Sequence, residues 1–343
     1  MVSRVKLFLG AYVNSINAQN LNCLAIAKFL DKSYFNITVL SIHSQPFIKI
    51  EGVKVFRCIW PHRIMVYWAF FWNIIKADVV YLPKGELLGF SSFLCQLFGK
   101  KSFSTVEGVL DETNFLKAKN KSGFDVLNYY SRLSKVFSIS DYIKDYNFKK
   151  HGLISDDKIL ELGTDSQLFY DSTVKTAPIN NVILIANNFS KKGVGDFLEL
   201  ANDYPQLNFH LVGEGKRIKK SLSNLTYYGK LSRYKLSELL KNMQLHVFPS
   251  RSEGFPKVIL EAACAGVPSI VYSDYGANQW IDHYQNGFVV QNLEEIKLII
   301  EDLLTDKLLF YHISKNTTQL GLSFDWKLKI KVWQDAILAL SSK

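Results

Sequence analysis

Two acids and two lysines have the residue types and spacing to do chemistry. Glu253 and Glu261 stand with seven residues between them inside PSRSEGFPKVILEAACAGVPSIVYSD, residues 249–274. An ionised carboxylate only accepts hydrogen bonds, so such a pair suits the hydroxyls of a sugar. Gly254, Phe255, Pro256 and Lys257 lie at the entrance of a helix that holds the second acid. A helix entrance offers unpaired N–H groups and partial positive charge, which suit a phosphate. Upstream, Lys191 and Lys192 precede Gly193 in the polar loop NNFSKKG. The alternative is an ordinary strand–helix–strand connection with solvated acids and a solvated lysine turn.

The elements that position these groups follow from the flanking residues. Residues 245–248, LHVF, are a short β-favouring run ended by Pro249. Pro256 suits a first helical position, where a missing N–H is no loss. Residues 258–265 continue the helix, Gly266 stops it and Pro268 prevents continuation. Residues 269–272 read as the next strand. The same alternation of strand and helix starts at residue 5 and predicts parallel sheet covered on both faces. Ligands of such sheets bind beyond the carboxyl ends of the strands, where both acids fall.

At these residues the chain resembles the retaining, nucleotide-sugar-dependent glycosyltransferases of the GT-B fold, specifically family 4, the glycosyl transferases group 1. The Glu253–Glu261 spacing and the small-residue run 262–268 carry the resemblance. A second match is Gly163-Thr164-Asp165 followed by Phe169, similar to that family's passage into its interdomain linker. Lys192 matches the lysine that the family directs at the donor diphosphate. The usual arginine is replaced by Asn187 or Asn188, which removes one positive charge that Lys191 would supply. Specific motifs extend over residues 136–290; residues 1–133 share architecture alone.

The resemblance implies an α/β protein of GT-B fold, two Rossmann-like parallel-sheet domains facing a central cleft. The acceptor-binding domain would span residues 1–170, and the nucleotide-sugar domain residues 171–322 after a polar linker at 171–180. Residues 323–343 would form a helix crossing back to the first domain. Glu253 would hold the donor sugar and Glu261 the ribose hydroxyls. Lys192, Lys191, Asn188, Gly254, Phe255, Pro256 and Lys257 would surround the diphosphate. Val212, Gly213, Gly229, Lys230 and Leu231 would line the nucleobase side. The donor would be a UDP- or GDP-linked sugar, with no cofactor and no metal ion.

Composition bounds the rest. A chain of 343 residues suffices for two domains, and 48% hydrophobic residues supply their cores. Cys23, Cys58, Cys95 and Cys264 stand singly without metal-ligand spacing and read as buried thiols of a reducing compartment. Residues 5–9 are too short for a signal segment, and no run of eighteen apolar residues predicts a membrane-crossing helix. The net charge of +10 comes with no zinc spacing or aromatic RNA-binding motif, so nucleic acid is not the expected partner. An anionic membrane surface or a phosphate-rich substrate fits better, beside the plain reading of a lysine-rich surface.

In the loop after the first strand, Asn14, Asn17, Gln19 and Asn20 replace the glycines of the resembled family. Their amides either bind a sugar acceptor or cap the following helix. Glu107 stands where that family often has a histidine, and reads as a general base, an acceptor anchor or a charged strand terminus. Residues 57–76, RCIWPHRIMVYWAFFWNIIK, are unusually aromatic, and a helix over Arg63–Lys76 would be apolar nearly all round. With Lys117, Lys119 and Lys121 it suits an anionic bilayer, or else a wholly buried position.

The expectation is a cytoplasmic bacterial enzyme, peripheral on the inner face of the membrane. It would transfer a sugar to a glycan or lipid-linked glycan in surface polysaccharide synthesis, with Glu253, Lys192 and Glu107 catalytic. The alternatives are an epimerase or phosphorylase of the same fold, and a non-enzymatic basic protein binding membrane or nucleic acid.

Overall fold

The structure is a computed structural model that describes residues 4–15, 17–83, 87–110, 125–173, 175–187, 189, 191–215 and 222–342. The chain divides into two compact units, Met1–Leu162 with Trp326–Lys343, and Gly163–Asp325.

In the first unit, strands β1 (Val5–Tyr12), β2 (Phe35–Ile42), β3 (Val53–Cys58), β4 (Val79–Tyr81), β5 (Lys101–Val106) and β6 (Lys135–Ser138) form one sheet. Their order is β3-β2-β1-β4-β5-β6 and every pairing is parallel. Leu7, Phe8 and Leu9 on β1, and all of β4, are fully buried, as expected of strands covered on both faces. The helices are α1 (Ala18–Phe29), α2 (His62–Lys76), α3 (Leu88–Leu97), α4 (Val126–Ser131) and α5 (Asp141–His151). Ser140 caps α5 through the N–H of Ile143, and Gly152 ends it at φ 64°.

The second unit repeats the plan. Its strands are β7 (Asn181–Ile185), β8 (Asn208–Val212), β9 (Leu225–Tyr227), β10 (Leu245–Phe248), β11 (Ser269–Tyr272) and β12 (Phe288–Val290). They lie in the order β12-β11-β10-β7-β8-β9, again parallel. The helices are α6 (Ser166–Phe169), α7 (Val194–Asp203), α8 (Arg233–Leu240), α9 (Lys257–Cys264), α10 (Leu293–Thr305) and α11 (Lys307–Ser323). In each sheet the strand order reverses between its first and fourth strands. Connections there diverge to opposite faces and leave a crevice at the carboxyl ends. In the second unit this switch point lies between β7 and β10. The last helix, α12 (Trp326–Ser341), belongs to the first unit and packs on α1. There the buried Trp333 donates its indole N–H to the Glu161 carbonyl at 2.9 Å.

Two local readings change. The division falls at 162–163 instead of 170, because the expected linker is tied into the second unit. Thr164 N–H donates to Phe324 O at 2.8 Å, and Asp171 N–H to Cys264 O at 3.3 Å. Lys175 is buried, pairs with Asp171 at 2.8 Å and donates to the Lys241 carbonyl. Pro256 is the N-cap of α9 (φ −76°, ψ 90°), and Lys257 is its first residue. Helix α8 begins at Arg233 and is capped by Ser232.

Candidate active site

The loops that leave β7, β8 and β10 are pressed together through glycines. A Cβ on Gly193 (φ +68°) would stand 2.1 Å from the Pro249 carbonyl oxygen. One on Gly213 (φ +131°) would stand 1.7 Å from that of Ala186. Only glycine combines these dihedrals with so close an approach. Gly213 N–H also donates to Gly229 O at 2.9 Å, and the Tyr227 hydroxyl to Gly213 O at 3.0 Å. Val212, Gly213 and Gly229 are thereby gathered at one end of the sheet. Lys230 is exposed, while Leu231 packs on the apolar cluster that includes Ala262 and Cys264 of α9.

This packing carries Lys192, after β7, onto Glu253, after β10, across the switch point. Lys192 Nζ donates to Glu253 Oε1, and the Ser250 hydroxyl donates to the same oxygen. Their side chains are 24% and 9% exposed, so the pair sits where water screens it little. Lys192 Nζ also lies 5.8 Å from the centre of the Phe248 ring. Lys191 is exposed. Beyond Glu253, Gly254 leads to Phe255, whose ring lies 6.0 Å from Trp280 and 5.9 Å from Phe324. The entrance of α9, with Lys257 at its start, follows directly.

Glu261 lies in the second turn of α9 and is buried. Burial pushes its carboxyl above the usual carboxylate range, against the opposing charges of Arg233 and Lys257. Arg233 stands 3.6 Å from Glu261 and 3.6 Å from Asp165, with its guanidinium 5.2 Å from the centre of the Phe169 ring. The Gly163-Thr164-Asp165 and Phe169 segment therefore surrounds the arginine that faces the second acid. Arg233 was not singled out from the sequence; Ser232, an N-cap residue just before it, was the available signal. It also passed over Tyr275, on the turn after β11. The Tyr275 hydroxyl is buried without a hydrogen-bond partner among the described residues. Burial, then the charge of Glu253, raises its pKa well above the ordinary value.

In the first unit Glu107 directly follows β5. Its Oε1 accepts from the Thr105 hydroxyl at 3.2 Å and its Oε2 from Asn22 Nδ2 at 3.0 Å. Asn17 is the N-cap of α1, accepting the Asn20 N–H at 2.8 Å. The Asn20 side-chain oxygen accepts the Tyr12 N–H at 3.2 Å. These oxygens hold the β1–α1 turn, as the capping reading expects, since the turn leaves N–H groups that need partners. Asn188, Lys117, Lys119 and Lys121 lie outside the described residues.

Residues 173–320 match the family described as glycosyl transferases group 1. An uncharacterized glycosyltransferase of Methanocaldococcus jannaschii is 24% identical over 206 residues, 56% of this chain and 56% of that protein. The N,N'-diacetylbacillosaminyl-diphospho-undecaprenol alpha-1,3-N-acetylgalactosaminyltransferase of Campylobacter jejuni is 31% identical over 153 residues, 42% of this chain and 40% of that protein. The chain spans about half the length of the curated relatives it matches. The crystal structure of Anabaena HepE in complex with UDP and glucose superposes with a TM-score of 0.75 at 17% identity, covering 99% of this chain and 100% of that one. The chain thus has the GT-B fold, and its second unit carries the glycosyl transferases group 1 match.

Proposed function

We propose that the chain is a retaining glycosyltransferase that moves a sugar from a UDP- or GDP-linked donor to a glycan or lipid-linked glycan. The observation that carries this reading is the Lys192–Glu253 pair at the mouth of α9, with Glu261 deeper in the same helix. Transfer from a nucleotide sugar separates an anionic diphosphate from a sugar ring gaining positive charge, and a site must stabilise both. Lys192 and the N–H groups at the entrance of α9 would take the diphosphate. A diphosphate arriving there competes with Glu253 for the lysine. The Glu253 carboxylate would then turn to the sugar hydroxyls and the developing charge. Glu261, facing Arg233, would accept from the ribose hydroxyls. The lysine and the helix mouth supply the positive charge for which other transferases use a metal ion, so transfer is expected without one. Glu107 is proposed to anchor an acceptor hydroxyl.

The group 1 match and the named transferases support a glycosyl transfer. The Campylobacter jejuni protein, whose name specifies a diphospho-undecaprenol substrate, supports a lipid-linked acceptor. The test is label transfer from UDP- and GDP-sugars to undecaprenyl-diphosphate-linked saccharides. The wild type is expected to transfer from one donor, and the Glu253→Ala and Glu261→Ala proteins to lose at least about a hundredfold in rate. Undiminished transfer by both variants would defeat the reading, and epimer formation without transfer would replace it with an epimerase.

A further inference from the structure

The aromatic helix α2 is neither wholly buried nor apolar without direction. Val66, Ala69, Phe70 and Ile74 face the core. Ile64, Tyr67, Trp68 and Trp72 recur at helical spacing on the opposite side, where they are 68%, 48%, 50% and 39% exposed. The stripe continues onto α3, whose Phe90 meets Tyr67 edge-on at 5.0 Å and whose Phe93 and Leu97 are exposed. The Trp68 and Trp72 rings stack at 5.7 Å. A soluble protein seldom leaves so continuous an apolar surface uncovered.

We infer that this outward face of α2 and α3 docks on an anionic lipid bilayer, an inference independent of the transfer reading. Charge selects the occupant. Neither helix contains an aspartate or glutamate. Arg63 and Lys76 are exposed at the two ends of the stripe, and Lys76 Nζ lies 4.1 Å from the centre of the Trp72 ring. Beyond it a cavity of about 340 Å³ opens with Lys6, Lys54 and Lys76 among its lining residues. The neighbouring acid, Asp78, accepts the backbone N–H of Lys6 at 2.8 Å. Tryptophan and tyrosine bodies with cationic ends suit the headgroup boundary of anionic lipid. A second copy of the chain would bring the same cations face to face. Among the described residues no helix is long and apolar enough to cross a membrane, so the contact lies along the surface.

The test uses the full chain and sedimentation with vesicles of phosphatidylcholine alone or mixed with phosphatidylglycerol. Binding to the mixed vesicles is expected to exceed binding to neutral ones by about tenfold and to weaken with salt. The Trp68→Ala, Trp72→Ala double variant is expected to lose about tenfold. Leu308→Ala, which removes a 73% exposed leucine of the second unit, is expected to bind like the wild type. Quenching of wild-type tryptophan emission by brominated lipid gives the same answer without any variant. Absent binding, equal binding to both vesicles, undiminished binding by the double variant, or a dimer in light scattering that the double variant dissolves would each overturn the inference.

Discussion

Replacing His246 by asparagine is expected to make the second unit less sensitive to acid. The imidazole is wholly buried on β10, with Nδ1 2.9 Å from the Ser269 hydroxyl and Nε2 lacking a hydrogen-bond partner among the described residues. Burial penalises the charged ring and pushes its pKa from 6.5 down to about 3. The folded value lies below the unfolded one. As pH falls below about 6.5 the unfolded chain takes up a proton that the folded chain refuses, so stability is lost down to about pH 3. At about 1.4 kcal/mol per unit, moving from about pH 7 to about pH 5 removes about 2 kcal/mol, and the whole window about 5 kcal/mol. Asparagine keeps a polar partner for Ser269 and does not titrate. Urea unfolding followed by circular dichroism at both pH values should show the wild type losing about 2 kcal/mol more than His246→Asn. Carboxylates common to both proteins cancel in that difference. Because β10 runs directly into the loop carrying Glu253, the proposed donor site would be lost along with the strand. Parallel losses in the two proteins would refute the assignment of a buried neutral imidazole.

Gly213→Ala must place a methyl 1.7 Å from the Ala186 carbonyl at φ +131°, and is expected to cost about 3 kcal/mol or more; a melting temperature within about a degree of wild type would contradict this. Arg233→Met keeps packing against Phe169 but removes the charge nearest Glu261. With Arg233 41% exposed the stability loss should stay near 1 kcal/mol. Nucleotide affinity is nonetheless expected to fall about tenfold in calorimetry as the Glu261 carboxyl becomes harder to ionise. Lys192→Met is expected to lower turnover about 10²- to 10³-fold, and a change under about twofold would remove the lysine from the diphosphate.

The strands and most helices were readable because β-branched and aromatic runs alternate with turn residues such as Gly152, Gly266 and Pro268. Lys192 and Glu253 were readable as separate motifs. Their contact was not, since it depends on Gly193 yielding space to Pro249, a long-range approach that no local pattern encodes. Arg233 was hidden for a similar reason, its partners Asp165 and Glu261 being remote in sequence. The amides of Asn17 and Asn20 fit two readings from composition alone; the capping bonds they make depend on backbone N–H groups that only the folded β1–α1 turn brings to them. In α2 the apolar residues are too numerous for periodicity to tell the core face from the outward one, and only packing against β1 and β3 separates them.

The central claim is that the mouth of α9, with Lys192, Glu253 and Glu261, holds a nucleoside diphosphate. Calorimetric titration of the wild type with UDP, GDP and ADP tests it most directly, repeated on Lys192→Met and Glu261→Gln. One nucleotide should bind the wild type at about micromolar strength and each variant at least about tenfold more weakly. Failure of all three to bind the wild type, or equal binding by wild type and both variants, would contradict the account.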